Sequence, residues 1–283
     1  MQTSLPVVLA IAFAAALGGW AYFRRVRINR PPIGVVNLRD AVILIGVLVL
    51  MPYLYLSLPL VAVTALLGIV VLTALHLTLE PLLPHPALLW GTCLGLVAAD
   101  IALGLGGGVR SAPFLLINNV ILAVVVVGAA NLWAQSGMKA RELAILAAVL
   151  TGYDILATWQ LSVMTEVFQR LAQLPLVPVV AWGLSDPATS LRLGLGDLLL
   201  LTVTPLVLRK AYGRTAGRVA LGGGLVVFTV LLTLLTTRVV TVSIPVMAVL
   251  GPLIVGQYWY WRHASGAERT TREYLRVEPL ISR

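Results

Sequence analysis

Residues 113–134 read PFLLINNVILAVVVVGAANLWA, a stretch without a charged side chain. A helix rises about 1.5 Å per residue, so about 20 apolar residues cross the ~30 Å hydrocarbon core of a bilayer. Outward from this stretch, runs of the same kind cover 4–23, 41–57, 59–79, 86–106, 142–163, 191–208, 218–236 and 239–261. Lipid offers no partner to a backbone N–H or C=O, and a helix satisfies both within a single run. The fold class expected is all-α, a polytopic membrane protein with about nine transmembrane helices in a single membrane domain, 1–283. The thinnest divisions are Ser57-Leu58-Pro59, between the second and third runs, and Arg238, between the eighth and ninth.

Composition and charge agree. With 59% hydrophobic and 11% charged residues, the chain has too much apolar surface for a water-soluble globular domain. The first run has the hydropathy of a secretory signal, but nothing basic precedes it and Arg24, Arg25, Arg27 and Arg30 follow. That order predicts an uncleaved anchor with its N-terminus outside. If nine runs alternate, only Arg110, Arg170, Arg192 and Arg238 of the 20 Lys and Arg fall outside. The positive-inside rule then predicts the N-terminus outside and residues 262–283 as a basic cytoplasmic tail. The net charge of +9 follows from these loop residues, with no separate basic domain to take a nucleic acid. Anionic headgroups of the lipid bilayer are the partner it suits, and Trp20, Tyr22, Phe23 and Tyr258 to Trp261 are placed as interfacial anchors. The short loops suit a prokaryotic plasma membrane. The single cysteine, Cys93, cannot form an internal disulfide and reads as a packing residue. His76, His85 and His263 are scattered, so no metal is expected.

Acids inside the apolar runs are the chemical signal. An Asp at a helix centre costs about 2.5–3.5 kcal/mol to insert, and such residues mark function by default. Of 11 acids, three fall within the runs: Asp100, Asp154 and Asp197. Asp100 stands near the outer end of its run, beside Gly104 to Gly108, where snorkelling to the interface is expected; Asn118 and Asn119 are its candidate partners. Asp154 and Asp197 lie on consecutive long runs, with no Lys or Arg in the adjoining turns. Two such carboxylates are the equipment of an aspartic protease: one takes a proton from water while its protonated partner donates to the scissile carbonyl. Gly194 and Gly196 permit close approach of another backbone. The same two acids are also the equipment of a proton- or cation-coupled transporter.

Tyr153-Asp154 on the sixth run, Gly194-Leu195-Gly196-Asp197 on the seventh and Pro245-Val246-Met247 on the ninth resemble the GxGD intramembrane aspartyl proteases, the presenilin and signal peptide peptidase family. The third motif departs from the family's Pro-Ala-Leu. The resemblance covers 141–261 and implies that Asp154 and Asp197 are the catalytic pair. Tyr153, Gly194, Leu195, Gly196, Pro245, Val246 and Met247 would shape the motif and handle substrate. It also implies a scaffold of five helices over 1–140, catalytic helices over 141–261, no cofactor, and transmembrane helices or remnant signal peptides as substrates. The N-out arrangement resembles signal peptide peptidase, so substrates with their N-terminus inside are expected. A prepilin-peptidase-like enzyme is a lesser alternative, because those enzymes carry a Lys soon after the Asp where this chain has Leu198 to Leu201. Pro245, Gly251 and Pro252 are expected to break the ninth run. With the irregular link Leu174 to Ser190, they would offer strand-like backbone to an unwound substrate.

Overall fold

The apolar stretch at 113–134 becomes α5 (Ala112–Gln135), the central post of a helical bundle. Ser111 caps it by accepting from the Phe114 N–H, and Pro113 occupies the first turn, where a missing N–H costs no helical bond. The computed structural model describes residues 4–28, 38–159, 163–183, 191–237, 245–269 and 273. Against α5 stand α1 (Ser4–Arg25), α3 (Leu60–Leu79), α4 (Pro86–Gly106) and α8 (Leu195–Tyr212). The remaining helices are α2 (Leu38–Ser57), α6 (Ala140–Trp159), α7 (Val163–Leu171), α9 (Arg214–Thr236) and α10 (Met247–Ser265). Among the described residues, five of the ten helices, α1, α3, α4, α5 and α9, are long and apolar enough to cross a membrane. Large side chains such as Val61, Ile69, Val70, Leu105 and Val226 lie exposed on their outer faces, as suits helices bathed in lipid.

Small residues set the closest approaches. A Cβ on Gly128 of α5 would overlap Thr78 of α3, and one on Gly217 of α9 would stand 2.5 Å from Arg209 Cβ of α8 and 2.9 Å from the Pro205 carbonyl. Without water to drive apolar surfaces together, this close backbone packing is what joins helices in lipid. The packing is uneven: α6 lies chiefly on α10, and α8 chiefly on α9, α5 and α1, while α6 and α8 touch each other over a much smaller area.

Three expectations need correction. The seventh run was expected to be helical from 191, but Leu191–Gly194 is strand β2, paired antiparallel with β1 (Val179–Trp182) in the register Val180 to Leu193 and Trp182 to Leu191. Pro175 and Pro178 bar a helix here, and Leu176 takes a left-handed φ of 57°. The link after Leu174 is therefore partly a strand; residues 184–190 lie outside the described residues. The ninth run was expected to be broken at Pro245, Gly251 and Pro252; α10 begins at Met247, just after Pro245, and runs through Gly251 and Pro252 without a break, while residues 239–244 lie outside the described residues. Arg238, the divider of the eighth and ninth runs, lies outside the described residues.

The basic loops meet at one end of the bundle. Gln135 donates to the Val26 carbonyl and accepts from the Ile28 N–H, tying α5 to the segment after α1. Lys210, buried at the end of α8, donates to the Ala134 carbonyl in the last turn of α5 and to the Met138 carbonyl in the loop that follows (2.9 and 2.5 Å). Arg209 lies over the Trp20 ring, 4.7 Å from its centroid. The tail folds back here: Glu268 accepts from the Ala140 N–H at the start of α6, and the Arg269 N–H donates to the Ala211 carbonyl of α8.

Candidate active site

Measured up from this basic end, Asp154 stands about 21 Å along α6 and Asp197 about 22 Å along α8 at 1.5 Å per residue. The two carboxylates are thus at one depth on helices that touch each other. Both are half-buried.

The Gly194-Leu195-Gly196-Asp197 motif straddles a change of structure. Gly194 ends β2 and is the N-cap of α8, so Asp197 is the third residue of the helix. From there its side chain folds back over Gly194, whose backbone N–H is directed at the carboxylate. This is the acidic half of a capping box, with the negative charge at the positive end of the helix. A Cβ on Gly194 would lie 3.2 Å from Asp197 Oδ2, so the glycine leaves room for that return.

Asp154 is oriented by α10. The backbone N–H of Met247, the first residue of α10, is directed at its carboxylate. One turn before Asp154, Thr151 Oγ1 donates to the Met247 carbonyl at 3.1 Å and to the Ala147 carbonyl at 2.7 Å. A Cβ on Gly251 would overlap Thr151 Oγ1 and stand 3.1 Å from both the Ala147 carbonyl and Thr151 Cβ. Gly251 therefore permits the contact that carries Met247 to Asp154. Of the motif residues, the structure brings Asp154, Gly194, Asp197 and Met247 together; Pro245 and Val246 lead into α10 beside them, and Gly196 is exposed.

Asp100 does not snorkel. It is 0% exposed and its Oδ2 accepts from the Leu176 N–H at 2.7 Å. Asn118 and Asn119 bond the backbone of residues 177–181 rather than Asp100. Cys93 is buried in packing, free of any disulfide. Among the described residues, no three His, Cys, Asp or Glu side chains gather to hold a metal ion. No protein-family model matches the chain, and no curated protein matches it in sequence.

Proposed function

We propose that the chain is an intramembrane aspartyl protease of the presenilin and signal peptide peptidase kind, with about nine spans, its N-terminus outside and its C-terminus cytoplasmic. One observation carries the reading: two carboxylates with no Lys or Arg in the adjoining turns of their own helices lie at one depth, on helices that touch each other. Two carboxylates so placed in a low-dielectric site hold a single proton between them. The ionised member takes a proton from water as the oxygen attacks the scissile carbonyl carbon, and the protonated member donates to the carbonyl oxygen. The carboxyl that took the water proton then passes it to the amide nitrogen as the C–N bond breaks, while a hydroxyl of the tetrahedral intermediate gives its proton to the other carboxylate, so the two peptides leave and the pair is again singly protonated. The backbone N–H groups of Gly194 and Met247 orient the carboxylates. The substrates are helical segments of other membrane proteins, with their N-terminus inside.

The test is cleavage of a labelled transmembrane peptide by purified protein in detergent or bilayers, with a folding check. Asp154→Asn and Asp197→Asn each remove the proton transfer while keeping side-chain shape, so each abolishes cleavage. The double variant is hardly worse than either single one, because the two acids act as a unit. Substantial cleavage by either single variant overturns the assignment. Uptake driven by a proton or cation gradient, without cleavage, moves the pair to the transporter reading.

A further inference from the structure

We infer that Asn119, Asn118 and Asp100 form a clamp that sets the position of Asp197 through the two-stranded sheet. Strand β1 has two edges. One pairs with β2, and its continuation holds the first turn of α8, where the Leu195 N–H donates to the Pro178 carbonyl at 3.1 Å. The other edge, where a third strand would stand, faces α5. There Asn119 Nδ2 donates to the Ala181 carbonyl at 2.8 Å and its Oδ1 accepts from the Ala181 N–H at 3.2 Å, copying the two bonds of a paired strand residue. Asn118 Nδ2 reaches the Val177 and Val179 carbonyls at 3.2 and 3.3 Å. Asp100 of α4 takes the N–H of Leu176, whose left-handed φ no glycine relieves. All three side chains are at most 1% exposed.

A strand at membrane depth needs every backbone group satisfied, and these side chains satisfy the edge that β2 does not. They also fix β1 against α5, the central post. Register then passes from α5 to β1, from β1 to β2 and from β2 to the Gly194 cap, with Asp197 in the turn that follows. Asn119 and its neighbours are positioning residues; they do not touch Asp154 or Asp197 in this arrangement.

The kinetic half of the test rests on the proteolytic reading; the structural half does not. In the full chain, Asn119→Ala is compared with Asn131→Ala, which removes a buried tie from the same helix to the Gly19 carbonyl, away from the sheet. Amide hydrogen exchange reads the clamp directly. Asn119→Ala raises exchange over residues 191–198 and lowers kcat about tenfold or more, as expected for a misplacement of under 1 Å, with KM little changed. Asn131→Ala does neither. Asp100→Asn, which keeps an acceptor for Leu176, behaves as the parent, and Asp100→Leu behaves as Asn119→Ala. If the alanine variant does not fold, Asn118→Ala, which removes only the longer bonds to the Val177 and Val179 carbonyls, gives the same response at smaller amplitude. Unchanged exchange over 191–198, or an equal response in Asn131→Ala, overturns the clamp. If the parent protein cleaves nothing while the exchange results hold, the clamp stands and the protease reading falls.

Discussion

Replacing Gly251 by alanine strikes the contact on which Asp154 depends. The new methyl overlaps Thr151 Oγ1, and even after that hydroxyl rotates away it remains 3.1 Å from Thr151 Cβ and the Ala147 carbonyl. One neighbour is a β-branched side chain and the other is backbone, so α10 has to retreat from α6. Overpacking of this kind costs about 1–3 kcal/mol. The retreat also stretches the Thr151 bond to the Met247 carbonyl and carries the Met247 N–H away from Asp154. Relief of contacts at 3.1 Å takes a few tenths of an ångström, and a displacement of that size at a reacting group lowers turnover by about tenfold. Thermal unfolding in detergent and peptide cleavage measure the two effects separately. Thr151→Ala removes the worst of the overlap, so Gly251→Ala/Thr151→Ala recovers part of the stability that Gly251→Ala loses. Parental stability and turnover in Gly251→Ala, or a double variant no better than the single one, refutes the reasoning.

Three further outcomes follow from the same geometry. Gly194→Ala suits its backbone φ of −66° but crowds Asp197 Oδ2, so cleavage falls while thermal stability changes by less than about 1 kcal/mol; parental turnover would separate Asp197 from its cap. Lys210→Met leaves the Ala134 and Met138 carbonyls without their ammonium donor and costs about 1–3 kcal/mol in unfolding experiments; an unchanged midpoint would show that water replaces it. Labelling of cysteines placed near each terminus should find them on opposite sides of the membrane, and labelling from the same side would eliminate the odd number of spans.

The helices and the two acids of the pair were legible because their signals are local. A span shows its length and hydropathy in sequence, and Asp154 and Asp197 stand out against apolar neighbours. Asp100 was misread because its depth was judged along its own helix, whereas its burial comes from residues 174–179, which fold back into the bundle from a distant part of the chain. The strands escaped notice for a related reason. Val179–Trp182 is as apolar as a helical segment, and only Pro175 and Pro178, followed by Val179-Val180, hinted otherwise, while Leu191–Gly194, with its exposed Arg192, stood at the start of a long apolar run. The role of Met247 had no side-chain signal, since its contact with Asp154 is made by backbone.

The uneven packing around α6 and α8 has a mechanical consequence. One carboxylate stands on α6 and the other on α8, and these two helices share little surface; α10 bridges them, packing chiefly on α6 and also on α8 and α9. Glu268 on Ala140 and Arg269 on Ala211 add a tie at the basic end. Any change in the spacing of the two aspartates is therefore borne by α10, the pin between their helices, rather than by the sparse contact of α6 with α8.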